Sequence, residues 1–133
     1  MKVKDGRVHL TNDAVQKQMA DYGKYEKGNK ISYDELNMYL SRLYGYKNYK
    51  FKEIILPKMK KVTTDIIRAC SGSIDPQFRN NNFEIFGLDF IIDADFNLWL
   101  IEVNTNPCLE ISCPLLSGII PKMIENALEY FLP

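Results

Sequence analysis

Apolar residues recur with two different periods along this chain, and the change of period falls near residue 83. Before it, Ser32 with Glu35 three residues later has the form of a capping box, and Leu36, Tyr39, Leu40 and Leu43 then repeat at helical spacing up to Gly45. That pattern predicts one helix. A second is predicted from about Pro57, where proline suits a first helical turn, through Met59, Val62, Ile66 and Cys70 on one face. Ser71 to Asn82, with Gly72, Pro76 and three successive asparagines, reads as a loop. A final helix is predicted from Pro121 to Leu132, with Met123, Ile124, Ala127, Leu128 and Phe131 apolar.

Between the loop and the last helix the period shortens to two. Phe83 to Asp93 and Leu98 to Asn104 are rich in aromatic and branched residues and flank Ala94-Asp95-Phe96-Asn97, which is a β-hairpin signal. A four-residue loop pairs Asp93 with Leu98 and sets Asp89 opposite Glu102. Alternation then gives an apolar core face of Phe86, Leu88, Phe90, Ile92, Trp99, Ile101 and Val103. The other face carries Ile85, Gly87, Asp89, Ile91, Leu98, Leu100, Glu102 and Asn104. Helices on either side of a hairpin make the expected fold class α+β.

Composition supports a single globular domain: 133 residues, 46% of them apolar and 26% charged. No apolar run approaches the roughly 18 residues of a membrane span, and Met1 to Leu10 is too charged for a signal peptide, so no membrane partner is expected. Cys70, Cys108 and Cys113 form no Cys-x-x-Cys pair and have only His9 as an imidazole partner, which argues for reduced thiols over a zinc site or disulfide framework.

Charge changes the picture. The formal net charge is zero, with 17 basic and 17 acidic side chains. Residues 1 to 70 nevertheless hold 15 basic against 8 acidic groups, and residues 71 to 133 hold 2 against 9. The densest basic stretch runs from Lys47 to Lys61, where Lys47, Lys50, Lys52, Lys58, Lys60 and Lys61 face Glu53 alone. It is either a solvated face or an attractor for an acidic polymer.

Two carboxylates directly across a strand pair repel, on the order of tenths of a kcal/mol. A hard divalent cation would offset that repulsion, since Mg²⁺ takes oxygen ligands from one or two carboxylates and leaves its remaining positions to water and phosphate. Asp89, Glu102 and the amide oxygen of Asn104 form such a set. A water-exposed polar end on an ordinary hairpin is the alternative, and a one-residue slip in register would part the two carboxylates. Asp93-Ala94-Asp95-Phe96-Asn97 imitates the opening of a calcium-binding EF-hand loop, but Leu98 stands where glycine is needed, Asn104 where glutamate is needed, and strands flank it.

Three separated motifs now resemble the tubulin-tyrosine ligase family. The first is His9-Leu10-Thr11-Asn12, followed by Gln16-Lys17 and Tyr22-Gly23-Lys24-Tyr25, a stretch closer to the tyrosine ligase itself than to polyglutamylases. The others are Phe86-Gly87-Leu88-Asp89-Phe90 and Trp99-Leu100-Ile101-Glu102-Val103-Asn104, so the resemblance runs from His9 to about Pro107. It implies an ATP-grasp fold, of which residues 1–133 would be the C-terminal part. It further implies that Asp89, Glu102 and Asn104 hold Mg²⁺ on the phosphates of ATP, that Thr11 and Asn12 contact the nucleotide, and that Lys17 lies near the bound amino acid. On the sequence alone Thr11 and Asn12 also read as a turn or helix cap, and Lys17 as a solvated charge.

The implied reaction joins a free amino acid to a carboxylate of the acidic tubulin C-terminal tail through an acyl phosphate. It depends on charge neutralisation and positioning more than on side-chain bases. Tubulin or microtubules are the implied partners, nucleic acid is not, and the implied location is the cytoplasm, cytoskeleton or cilium. Thr105-Asn106-Pro107 stands where the tyrosine ligase has Gly-Ala-Pro, which leaves tyrosine, glutamate and glycine open. Both ATP-grasp lobes exceed what 133 residues hold. The isolated chain is therefore expected not to ligate, and turnover above a Glu102→Ala control would contradict this. The alternatives are a non-catalytic remnant that binds tubulin tails or a partner through Lys47 to Lys61, and a ligase acting on another acidic protein.

Overall fold

A computed structural model describes residues 9–45, 50–79 and 82–131 of the chain. Their elements run α1 (Asp13–Gln16), a 3₁₀ turn (Lys27–Asn29), α2 (Tyr33–Tyr44), α3 (Phe51–Ile74), β1 (Gly87–Ile92), β2 (Leu98–Asn104) and α4 (Pro114–Phe131). The α+β class is as the patterning predicts, with helices around one two-stranded antiparallel sheet.

The capping box on α2 forms as expected. The Glu35 backbone N–H donates to Ser32 Oγ at 3.2 Å and the Ser32 N–H donates to Glu35 Oε2 at 2.6 Å. Gly45 ends the helix in the left-handed conformation, φ 69°, which glycine adopts without a Cβ clash.

The other two long helices extend beyond their predicted limits. The start of α3 is Phe51 rather than Pro57, and its end is Ile74, so Ser71 to Ile74 are helical and not loop. Pro57 lies inside, where its missing N–H removes only the bond to the Glu53 carbonyl. The start is set by the partner helix: the Phe51 N–H donates to Asn37 Oδ1 at 3.0 Å, and the Phe51 ring stacks on Tyr33 with centroids 4.6 Å apart. Lys52 Nζ pairs with Asp34 at 2.8 Å across the same junction. Likewise α4 begins at Pro114, not Pro121, and Pro121 sits within it. Pro114 stands in the first turn, a position that suits proline. Lys47, Asn80, Asn81 and Leu132 lie outside the described residues.

The hairpin is where patterning and structure part most. Ile92 pairs with Leu98, Ile91 with Trp99 and Phe90 with Leu100, but Asp89 pairs with Glu102, Leu88 with Val103 and Gly87 with Asn104. The turn thus holds five residues, Asp93 to Asn97, and not four; Ile101 is an unpaired bulge residue that restores the register beyond it. Asp89 does face Glu102, as expected. Trp99 and Ile101, expected in the core, are 58% and 61% exposed, and Leu98 and Leu100 turn inward instead. On β1 the expectation holds, since Leu88, Phe90 and Ile92 are half-buried and Ile91 is exposed.

Among the described residues the buried apolar set is small: Phe51, Ile55, Cys113 and Ile120, with Ile55 alone fully buried. Two glycines admit close approaches. Gly28, at φ 68°, leaves room for Cys113, whose Cβ would lie 3.2 Å from an added methyl. An added Cβ on Gly87 would meet Pro107 Cβ at 3.0 Å, so glycine there lets the chain after β2 fold back over the strand pair.

The bulge makes a prediction that separates the two registers. Leu100→Asn should destabilise the chain by about 1–3 kcal/mol, whereas Ile101→Asn should stay within about 0.5 kcal/mol, as read by urea unfolding. The reverse order would restore the unbulged pairing.

Candidate functional site

The polar end of the hairpin is built by the bulge. Asp89 and Glu102 are direct cross-strand partners and both exposed, while Gly87 opposite Asn104 places the amide one pair further along the same face. Asn104 Nδ2 donates to Glu102 Oε1 at 3.0 Å, which fixes the amide and leaves its oxygen as an acceptor. The structure thus brings together three of the six candidate residues: Asp89, Glu102 and Asn104. No cluster of three or more His, Cys, Asp or Glu exists among the described residues. Two carboxylates and an amide oxygen are nonetheless what Mg²⁺ requires when phosphate and water fill its other positions, so the donor set fits that ion. It does not fit a structural zinc site, which needs four N or S ligands.

Thr11, Asn12 and Lys17 form a separate group. Asn12 is the N-cap of α1, its Oδ1 accepting from the Ala14 N–H at 2.9 Å. Lys17 Nζ pairs with Asp13 Oδ2 at 3.1 Å, one turn back on the helix, and Thr11 is exposed. No hydrogen bond or ion pair joins these three to Asp89, Glu102 or Asn104. The turn-or-cap reading holds for Asn12, and Lys17 is the exposed charge expected, here paired with Asp13.

Around Asp13 lies a cluster that patterning missed. Tyr22 Oη donates to Asp13 Oδ1 at 2.8 Å and Lys30 Nζ lies 3.3 Å from the same oxygen. The Tyr22 hydroxyl, with help from Lys17 and Lys30, holds the Asp13 carboxyl below its ordinary range against some opposing burial. The same bonds to Asp13 raise Lys17 and Tyr22. Seventeen residues separate Asp13 from Lys30, so no local spacing rule could have found the pair.

Asp93 governs the turn. Its Oδ1 accepts from the backbone N–H of Asp95 at 3.0 Å and of Asn97 at 2.9 Å; its Oδ2 accepts from Asn97 Nδ2 and Trp99 Nε1, both at 3.0 Å. These donors, the Trp99 indole first, pull the carboxyl down to about 2. With both oxygens engaged internally, Asp93 closes a turn and does not open an EF-hand loop. The signal was present as an aspartate heading a turn, but its reach to Trp99 depends on the five-residue length.

Comparison with known proteins adds a second line of observation. The family model "Tubulin-tyrosine ligase family" matches residues 1–133. The chain is 34% identical to Tubulin glycylase 3D of Tetrahymena thermophila over 89% of its own length and 11% of that protein's. It is 30% identical to human Inactive polyglycylase TTLL10 over 93% of its own length and 19% of that protein's. Against human Protein monoglycylase TTLL8 it is also 30% identical, over 94% of its own length and 15% of that protein's. The chain therefore spans less than a fifth of the length of these relatives.

The depressed Asp93 carboxyl gives a pH prediction. A carboxyl lowered from 3.8 to about 2 on folding contributes stability above its unfolded value, and loses that contribution as the pH falls through the folded one. The gap in melting temperature between wild type and Asp93→Asn should be full at neutral pH and close as the pH drops below about 4 towards about 2. A gap unchanged across that window would show that the carboxylate charge is not what holds the turn.

Proposed function

This chain belongs to the tubulin-tyrosine ligase family, and we propose that it forms the C-terminal part of an ATP-grasp catalytic unit that joins an amino acid to the acidic C-terminal tail of tubulin. The observation that carries the reading is the Asp89–Glu102 pair with Asn104 bonded beside it. Two like charges placed face to face, without a lysine or arginine bound to either among the described residues, suit a site that a cation completes.

In this reading Asp89, Glu102 and Asn104 would hold Mg²⁺, which would supply charge neutralisation to the phosphate oxygens of ATP. Thr11 and Asn12 contact the nucleotide through the start of α1, and Lys17, held by Asp13, lies near the incoming amino acid. The tail carboxylate becomes an acyl phosphate at the expense of the terminal phosphoryl group of ATP. The amino group then attacks the acyl carbon, inorganic phosphate leaves with the C–O bond electrons, and the amine proton passes to solvent. The names of Tubulin glycylase 3D and Protein monoglycylase TTLL8 among the relatives favour glycine over tyrosine and glutamate as the amino acid. No helix among the described residues is long and apolar enough to cross a membrane, and the family supports association with the cytoskeleton.

A second reading has its own support, because one relative bears the name Inactive polyglycylase. On that reading the chain is a non-catalytic unit that binds tubulin or another partner.

Titration with Mn²⁺ as a paramagnetic substitute for Mg²⁺, with and without ATP, tests the site directly. Asp89→Asn and Glu102→Gln should each weaken ion binding at least about tenfold, since a lost ligand charge cannot be replaced by water at equal strength. Unchanged affinity in both variants would remove the metal reading and leave the non-catalytic one.

A further inference from the structure

Of the three long helices α4 is the most apolar, yet among the described residues Ile120 is its one buried side chain. No other helix or strand among those residues packs along its length; Cys113 at its head fills the space above Gly28, and Phe131 stacks on Phe83 with centroids 4.7 Å apart. Cys113, Leu116, Ile120, Met123 and Ala127 recur every three or four residues and turn inward. Pro121, Ile124, Leu128 and Phe131 repeat that spacing on the adjoining flank, which is the seam by which two helices pack. Leu128 and Phe131 are exposed. A shallow hollow of about 610 Å³ runs along this flank, lined by Pro121, Ile124, Glu125, Leu128 and Glu129, and it suits a ridge of side chains from a second helix.

Surface area shows how much is left to cover. A compact monomer of 15.5 kDa exposes about 7,200 Å². This chain exposes 10895 Å². The surplus of about 3,700 Å² exceeds the roughly 1,000–2,500 Å² that one chain gives to an obligate interface. Charge at the border of the hollow selects the occupant. Lys122, Glu125 and Glu129 have no ion-pair partner among the described residues. Two carboxylates against one lysine disfavour an anionic membrane or an acidic peptide. A parallel copy of α4 would set Lys122 beside Lys122 and Glu129 beside Glu129. An antiparallel copy, related by a two-fold axis between Glu125 and Asn126, instead sets each Lys122 beside the other helix's Glu129. We propose that this flank of α4 is a self-association surface, covered by α4 of a second copy in the antiparallel, two-fold arrangement. The inference goes beyond the ligase reading and does not depend on it.

Sedimentation of the 133-residue chain between about 5 and 500 μM tests it. A reversible monomer–dimer equilibrium with no larger species is expected, since a two-fold contact closes on itself. Leu128→Glu should weaken the dimer at least about tenfold, because it sets a charge in the seam. Lys122→Glu should weaken it only about threefold, as befits exposed pairs, and adding Glu129→Lys to that variant should restore it. Ile101→Asn, on the exposed face of the hairpin, should change it less than about twofold. Circular dichroism on each variant shows whether the helices remain, and the charge exchange decides the matter if Leu128→Glu does not fold. A chain that stays monomeric throughout, a series of growing assemblies, failure of the exchange to restore the dimer, or its loss in Ile101→Asn would overturn the proposal. Binding of a monomeric chain to phosphatidylcholine vesicles would assign the flank to a lipid surface instead.

Discussion

The side chain of Asp93 decides what the hairpin can do. Four donors converge on its carboxylate, and together they make the turn five residues long. A five-residue turn shifts β2 by one position against β1, which by itself would set the carboxylates at the far end on opposite faces. The bulge at Ile101 shifts the strand back, and only then do Asp89 and Glu102 face each other. Turn and bulge are thus complementary offsets. The first brings Trp99 to the outer face beside Ile91, and the second delivers the acidic pair to that same face.

The sequence carried the acidic pairing through two errors that cancelled. Counting from a four-residue loop gave the right partner for Asp89 and the wrong surroundings for Trp99, Leu98 and Leu100, because alternation cannot reveal an inserted residue. The capping box at Ser32 was legible because it is a local motif with both bonds inside four residues. The start of α3 was not, since it rests on Asn37 and Tyr33, which lie in the preceding helix. The same limit hid the Asp13 cluster: Asn12 could be read as a cap, but Tyr22 and Lys30 reach Asp13 only through the fold of the intervening turn. Proline misled at Pro57, since its preference for a first turn is weaker than the packing that starts α3 at Phe51, and α4 begins at Pro114, upstream of the predicted Pro121.

The two charge halves have different structural fates. Much of the basic excess is partly neutralised within the chain, by Asp13 for Lys17 and Lys30, Asp34 for Lys52, and Asp65 for Lys61. Exposed pairs of this kind are worth little in stability. Lys58, which lines a hollow with Asn97, Leu98 and Trp99, has no ion-pair partner among the described residues. In the acidic half, Asp93 is satisfied by N–H donors, while among the described residues Glu102 has only the amide of Asn104, and Asp89 faces it directly. Balance at the level of the whole chain therefore conceals local imbalances of opposite sign.

The contact between Gly28 and Cys113 bears on how the molecule folds. Gly28 and Cys113 are distant in sequence, yet the space above the glycine is filled by the cysteine at the head of α4. Helices α2 and α3 and the hairpin can each form from neighbours in the chain, on fast local timescales. Seating α4 requires closing a loop that contains all of them, and the entropy lost in that closure comes before the contact forms. Docking of α4 thus adds a long-range contact to helices that Asn37, Tyr33 and Phe51 already hold together. The absence of a side chain at residue 28 keeps that late encounter free of a steric barrier.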